Sequence, residues 1–128
     1  MIQKDYIERL TQQVAKVMAR LIGKDWEQQR PILEEVYADW LPIDRKDLLN
    51  RPPAEILDWL AVKEQLSVDE LEAIADLLKF EGEQLIDYET AKDRLKKALL
   101  LLEYVDTHQD TYSMDRVYKI EQLKNRLA

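Results

Sequence analysis

The 128-residue chain has the length of one domain and is long enough to bury a hydrophobic core without metals or cross-links. It has no cysteine, which excludes disulfides, thiolate metal sites and cysteine nucleophiles and is typical of a reducing cytoplasm. Its 19 basic and 26 acidic side chains give a net charge of −7, so we expect neither nucleic acid nor an anionic membrane as a partner.

The start of the sequence and its most apolar run also indicate a cytoplasmic protein. The opening M-I-Q-K-D-Y lacks the apolar region of a signal peptide, and the most apolar run, Ala98–Leu102, is too short to span a bilayer. We therefore predict a single soluble domain over residues 1–128, located in the cytoplasm. Only two glycines and four prolines interrupt the chain, and no β-branched alternation is sustained, which predicts an all-α fold.

The first predicted helix, Asp5–Ile22, is the one around which we expect the others to fold. Its apolar side chains lie within an arc roughly 120° wide, and Gly23 supplies a left-handed residue that ends it. So wide a face can contact two neighbouring helices at once. The residues of this face are Tyr6, Ile7, Leu10, Val14, Val17, Met18 and Leu21, which Ile22 extends.

The second predicted helix contains a proline that allows two interpretations. Pro31 lacks a backbone N–H, so it either lies inside one helix that begins at Asp25 or opens a shorter one. We prefer the first interpretation because Trp26 is in helical register with the later apolar residues. The next stretch is irregular and contains a possible helical turn at Arg45–Asn50, after which a helix is predicted over Ala54–Lys63.

The second half of the chain predicts three further helices. Ser67 and Glu70 have the spacing of a capping box, and the helix they begin has a buried face that runs to Ile86, with Gly82 allowing close approach of a neighbour. The fifth helix covers about Glu89–Asp106, and its basic first turns face an acidic fourth helix, so the two are predicted to be antiparallel neighbours. A polar loop from Thr107 precedes the last helix, Met114–Leu127, which Ser113 caps.

Four segments of the sequence carry a resemblance to a known family. They are M-I-Q-K-D-Y-I-E-R-L-T-Q-Q at the start, D-L-L-N at Asp47–Asn50, L-E-A-I-A-D-L-L-K-F-E-G at Leu71–Gly82 and A-K-D-R-L-K-K-A-L at Ala91–Leu99. Together they resemble a bacterial family of small all-helical proteins with no assigned activity. The resemblance implies a tetratricopeptide-like fold of antiparallel helix pairs. Gly82 lies nine residues before Ala91, where the repeat has twelve, so the turn is shortened.

The residues that usually carry chemistry give no catalytic, cofactor or metal site. The only histidine, His108, lies in the predicted polar loop, and one imidazole cannot supply a two-histidine metal motif. Two acidic rows share helix faces, Glu35 with Asp39 and, in what we call the acidic row, Asp69, Glu72 and Asp76. Either could collect a divalent cation, but both are also what the solvated side of an acidic helix looks like.

One polar row of the first helix is the candidate partner-binding surface. This basic row consists of Arg9, Gln13, Lys16 and Arg20, which recur at i, i+4, i+7 and i+11 beside the apolar face. It could receive an acidic peptide or a phosphate-bearing partner. The alternative is a solvated stripe that pairs with acids of the same molecule.

These observations predict an all-α protein of five or six helices that acts as a non-enzymatic protein-interaction or adaptor module. We expect a protein or peptide partner, no cofactor, no nucleic acid and no membrane. One alternative is an enzyme that binds a small molecule or metal through carboxylates between helices. Another is a self-associating helical protein, indicated by the apolar content of the first and fifth helices and by Phe80, which lies off the buried face of its helix.

Overall fold

The computed structural model describes the backbone of residues 2–128 and the side chains of residues 5–128. Every regular element in that part is helical, which confirms the all-α prediction. The prediction of five or six helices was wrong, because the described residues form seven α-helices and a π-helical turn. These are α1 (Ile2–Leu21), α2 (Trp26–Trp40), α3 (Arg45–Asn50), α4 (Pro53–Leu57), the π-helical turn (Asp58–Lys63), α5 (Val68–Gln84), α6 (Tyr88–His108) and α7 (Met114–Leu127).

Contacts between Cα atoms divide the chain after Asn50 into two compact units. The single domain predicted over residues 1–128 therefore stays a prediction. None of the described helices is both long enough and apolar enough to cross a membrane.

The first unit is built on a hairpin of α1 and α2. Gly23 adopts a φ of +81°, which confirms the predicted left-handed end of the first helix. At the open end of the hairpin the Tyr6 hydroxyl donates to the Trp40 carbonyl oxygen over 2.9 Å. At the turn the amide of Gln29, only 3% exposed, donates to the carbonyl oxygens of Leu21 and Lys24. Gln29 thus satisfies backbone acceptors that the end of α1 leaves open.

The apolar face of α1 is buried from Leu10 to the last residue of the helix, but its predicted extension at Ile22 is not. Leu10, Val14, Val17 and Leu21 are at most 6% exposed, whereas Ile22 is 79% exposed because α1 ends one residue before it. The second helix runs continuously through Pro31, so the preferred interpretation is confirmed. It begins at a capping box in which Asp25 and Gln28 bind each other's backbone N–H groups.

The second unit begins with a short α-helix that continues directly into a π-helical turn. One helix was predicted over Ala54–Lys63, but α4 gives way to the π-helical turn, in which Glu64 N–H donates to the Trp59 carbonyl five residues back. Both Trp59 and Leu60 are buried in this turn. The Trp59 indole N–H donates to Glu64 Oε1 over 3.2 Å, and the Arg51 guanidinium lies 4.1 Å from the ring centroid.

The helices α5 and α6 form the antiparallel hairpin that their charges predict. The capping box of Ser67 and Glu70 is confirmed, and so is the close approach at Gly82. A Cβ atom at Gly82 would lie 2.7 Å from Leu95 Cδ2 and 3.1 Å from the Ala91 carbonyl oxygen. The two helix backbones can therefore approach only because this residue has no side chain.

The last helix completes a three-helix arrangement. Ser113 caps α7 as predicted, and α7 buries Ile120 and Leu123. Its contacts to α6 join Arg116 to Asp106 and Lys124 to Glu103, so the two helices are antiparallel. It follows that α7 runs parallel to α5.

The end of α5 corrects the sequence interpretation. The buried face was predicted to continue through Leu85 and Ile86, but α5 ends at Gln84. Leu85 is half-buried in the turn after the helix, and Ile86 is fully exposed. Asp87 then caps α6 through the Thr90 backbone N–H, which stops the chain from continuing in the α5 register.

Candidate functional sites

The basic row of α1 is accessible to solvent. Arg9, Lys16 and Arg20 are exposed and Gln13 is half-buried. Among the side chains of residues 5–128, no carboxylate lies within 4 Å of these three cations, and Arg9 Nε donates a hydrogen bond to the Asp5 carbonyl oxygen over 3.4 Å. The row is therefore not neutralised by this unit's own described acids, and its role in binding a partner stays a prediction.

The acidic row of α5 lies instead against α7 and the loop before it. Lys119 Nζ is 2.9 Å from Asp76, Arg116 Nη1 is 3.7 Å from Glu72, and the Gln109 amide is 3.4 Å from Asp69. Arg116 is 3% exposed and also binds Asp106 and the Thr111 carbonyl. Each member of the acidic row thus has a partner from the last part of the chain.

The contacts of Glu72 and Asp76 with Arg116 and Lys119 form what we call the seam. Burial shifts the pKa values of its groups. It raises the pKa of Glu72 above its ordinary value, and the nearby Arg116 only partly reverses the effect. Burial likewise raises the pKa of Asp76 against the opposing effect of Lys119. For Lys119 burial acts to lower the pKa, but Asp76 and Asp115 outweigh it and the pKa rises. The seam therefore favours a charged lysine between two acids.

Neither acidic row assembles a metal site. Glu35 and Asp39 are exposed on α2. Among the described residues no three histidine, cysteine, aspartate or glutamate side chains are placed to hold one ion. The acids that share a face on α5 lie against Arg116, Lys119 and Gln109.

The single histidine is not in a loop, as was predicted, but is the last residue of α6. Its Nδ1 lies 2.8 Å from the Tyr104 carbonyl oxygen, and its ring stacks on the Tyr104 ring with centroids 3.9 Å apart. His108 is exposed, and these contacts within one helical turn account for its position.

A buried charge network, which was not predicted from the sequence, lies between α5 and α6. Arg94 bridges Glu81 and Asp93 at 2.7 Å each, and Asp93 also binds Lys97 at 2.9 Å. Lys97 is fully buried and Glu81 is 1% exposed. Burial lowers the pKa of Lys97 in spite of Asp93. Two acids and two bases balance, as a buried ionic cluster requires.

One signal for this burial was present in the sequence. Lys97 is in register with Leu101 and Val105, which are buried on the same face of α6. Its acid partner Asp93 lies four residues earlier, the spacing at which helical side chains meet. A lysine in an apolar register with such a partner indicates a buried pair.

A small open cleft lies at the turn between α5 and α6. We call it the turn cleft, and its volume is about 200 Å³. Ile86 and Tyr88, which are 100% and 69% exposed, form its rim. Lys92 Nζ lies 5.7 Å from the centroid of the Tyr88 ring. The described lining consists of Leu85, Ile86, Tyr88, Ala91, Lys92, Leu95, Arg126 and Leu127.

A second cleft, the helix cleft, adjoins the first. It has a volume of about 390 Å³ and shares Leu95 and Arg126 with the turn cleft. Its acid Glu83 is bound by Lys79 at 3.0 Å. The remaining lining comes from α7, namely Gln122, Leu123 and Asn125. Arg126 therefore stands between two neighbouring depressions.

Comparisons with models of known families, with curated proteins and with solved structures each find no match. Function therefore has to be inferred from the geometry of the sites. Of these, the turn cleft is the one that combines exposed apolar side chains with a concave surface.

Proposed function

We propose that this protein is a non-enzymatic protein-interaction module and that a partner segment docks in the turn cleft. The observation that supports this most is the complete exposure of Ile86 beside the exposed Tyr88 ring at the rim of an open cavity. Single exposed apolar residues are normal on protein surfaces, whereas two of them flanking an apolar-floored depression are typical of a docking site.

Covering the two exposed rim side chains would contribute part of the free energy of binding. Covering one fully exposed isoleucine side chain contributes about 1.5–3 kcal/mol, and a covered tyrosine ring contributes a similar amount. The floor is held by helices that pack through Gly82 and Leu95, so little ordering of the cleft is needed on binding.

The adaptor role, the bacterial cytoplasm and the tetratricopeptide-like character of the helix pairs belong to the same proposal. An interaction module needs no catalytic constellation, and the acids of α5 are engaged by Arg116 and Lys119. Tetratricopeptide-like pairs present grooves to peptides, and the α5–α6 hairpin with its short turn is the part of this chain that such a pair would correspond to.

The proposal is tested by selecting binders from a random peptide display library on the folded protein. We expect selected peptides to lose binding to Ile86→Asp and to keep it with Val62→Asp. The control matches in chemistry, since Val62 is a 62% exposed aliphatic residue of the π-helical turn that lines neither cleft. Circular dichroism would establish that both variants fold.

Two results would overturn the proposed docking site. One is a library that yields no peptide with a dissociation constant below about 1 mM, the affinity of a marginal contact. The other is a set of binders that tolerates Ile86→Asp as well as it tolerates the control substitution. In either case the exposed Ile86 would have to be interpreted as an isolated surface residue.

A further inference from the structure

We infer that the segment bound in the turn cleft is an acidic peptide, with carboxylates on both sides of one apolar anchor residue. The inference rests on the proposed docking function and names the chemistry of its partner. It is carried by the charges around the cleft rather than by its apolar floor.

The described lining of the turn cleft contains two cations and no carboxylate. Lys92 projects from α6 and Arg126 from α7, so positive charge flanks the apolar floor from two helices. Within residues 5–128, no carboxylate lies within 4 Å of either cation.

Most other cations of the second unit do have carboxylate partners. Such ion pairs are formed by Lys63, Lys79, Arg94, Lys97, Arg116, Lys119 and Lys124. Of the others, Arg51 lies over the Trp59 ring, and Lys96 is exposed with no carboxylate within 4 Å among residues 5–128. Two cations left without a carboxylate at one cleft therefore provide a local positive field that favours an acidic ligand.

The acid that separates the two rim residues in sequence is held at the first turn of α6 and does not line the turn cleft. Asp87 lies between the two rim residues in sequence, but its carboxylate accepts hydrogen bonds from the Thr90 hydroxyl at 2.6 Å and from the Thr90 N–H at 2.9 Å. These bonds lower the pKa of Asp87 and fix its carboxylate as the cap of α6. Glu83 in the helix cleft is likewise bound to Lys79.

The two cations suit carboxylates in different ways. The planar guanidinium of Arg126 can bind a carboxylate with two parallel hydrogen bonds, while the Lys92 ammonium acts as a point charge near the Tyr88 ring. A peptide whose anchor enters the cleft places its neighbouring residues over these groups. Apolar anchor and flanking carboxylates together distinguish such a peptide from a free phosphate, which has no apolar part.

The test uses three labelled peptides of about nine residues, each with a central leucine flanked by glutamate, serine or lysine, and measures binding by fluorescence anisotropy. We expect the glutamate peptide to bind about fivefold to tenfold more tightly than the serine peptide, as two exposed charge pairs would give. The lysine peptide should bind most weakly. The glutamate preference should decline as salt concentration rises.

Charge reversal provides the decisive comparison. In the double variant Lys92→Glu, Arg126→Glu the preference should switch to the lysine peptide. The matched control is Lys24→Glu, Lys46→Glu, which makes the same change in net charge at exposed residues of the first unit and should keep the glutamate preference. If the reversed variant does not fold, Lys92→Gln and Arg126→Gln singly should each reduce the preference.

The failures of the two proposals are distinguishable. If all three peptides bind equally and all lose binding to Ile86→Asp, the docking site stands and the acidic partner is excluded. The same exclusion results if library-selected peptides bind through Ile86 but the glutamate peptide does not bind. If no peptide of any kind depends on Ile86, the docking site itself is wrong, and amide chemical shifts of Tyr88 and Leu127 would show no perturbation.

Discussion

The basic row of α1 and the acidic row of α5 are alike in sequence and differ in structure. Both are polar residues repeated at helical spacing along one side of an amphipathic helix. In the structure Arg9, Lys16 and Arg20 are exposed without a described carboxylate partner, whereas Glu72 and Asp76 lie against cations of α7. Helical spacing therefore shows that residues share a face but does not show what that face meets.

The difference arises from the elements that come after each helix in the chain. The hairpin of α5 and α6 is continued by α7, which runs parallel to α5 and carries Arg116 and Lys119 at a spacing of three. The acids Glu72 and Asp76 have nearly the same spacing, so two ion pairs form in register. In the first unit the hairpin partner of α1 approaches through Tyr6 and Gln29 rather than through acids.

The largest effect is expected at Arg116, the most buried cation of this seam. Arg116→Ala removes bonds to Glu72, Asp106 and the Thr111 carbonyl and leaves two partly buried acids unpaired. We expect the free energy of unfolding to fall by about 2 kcal/mol or more in urea titration. Arg20→Ala is the control and should change stability by less than about 0.5 kcal/mol. Equal losses for the two substitutions would show that the ion pairs of Arg116 do not stabilise the packing of α7.

A smaller loss is expected at Lys119, which is about one quarter exposed. Lys119→Met breaks ion pairs of 2.9 Å and 3.0 Å with Asp76 and Asp115 but keeps the aliphatic stem, so we expect a loss of about 1 kcal/mol. Lys124→Met is the matched control, because its ion pair with Glu103 is longer, at 3.8 Å, and exposed. A loss at Lys124 as large as that at Lys119 would contradict this ranking.

The pH dependence of stability provides a more sensitive test of the same seam. The folded-state pKa values of Glu72 and Asp76 are raised above 4.5 and 3.8. Between the unfolded and folded pKa values the folded protein binds more protons, so these groups stabilise it in acid and lose that contribution as pH rises through the folded pKa values.

Removing both titrations should reveal this contribution. We expect the variant Glu72→Gln, Asp76→Asn to gain stability more steeply than wild type as pH rises from about 4, because the opposing contribution is absent. The measurement is the urea midpoint as a function of pH. The double variant Glu35→Gln, Asp39→Asn changes two exposed acids of α2 and should follow the wild-type profile more closely. Parallel profiles for all three proteins would exclude raised pKa values in the acidic row.

The smallest effect is expected from the basic row. The triple variant Arg9→Gln, Lys16→Gln, Arg20→Gln removes three exposed charges that have no described carboxylate partner, so stability should change by less than about 0.5 kcal/mol. Thermal unfolding followed by circular dichroism measures it. A loss above about 1 kcal/mol would mean that the row is paired in solution, and the two rows would then not differ as described.

Local chemistry made much of the fold predictable. The end of α1 at Gly23, the capping box at Ser67 and the contact at Gly82 each depend on a residue whose conformational or hydrogen-bonding preference is strong in any context. The passage of α2 through Pro31 was also predictable from register. These features are determined within one or two helical turns of the residue that causes them.

The remaining features depend on contacts between distant parts of the chain. The π-helical turn, in which the adjacent residues Trp59 and Leu60 are both buried, departs from the α-helical period on which the prediction was based. Ile86 fits the apolar register of α5 but lies beyond the end of that helix, so the turn cleft was missed. Arg116 and Lys119 appear in sequence as surface cations, and only the position of α7 against α5 shows that they bind acids.

The tryptophans provide a separate optical reporter for each compact unit. Trp26 and Trp40 belong to the first unit, while Trp59 is the only tryptophan of the second. The Trp59 side chain is buried, with the Arg51 guanidinium over its ring and its indole N–H bound to Glu64. Replacing Trp26 and Trp40 by phenylalanine leaves an emission signal that reports on the second unit alone, and replacing Trp59 leaves the complementary signal. Coincident midpoints would establish one cooperative transition, and separated midpoints would assign each unit its own stability.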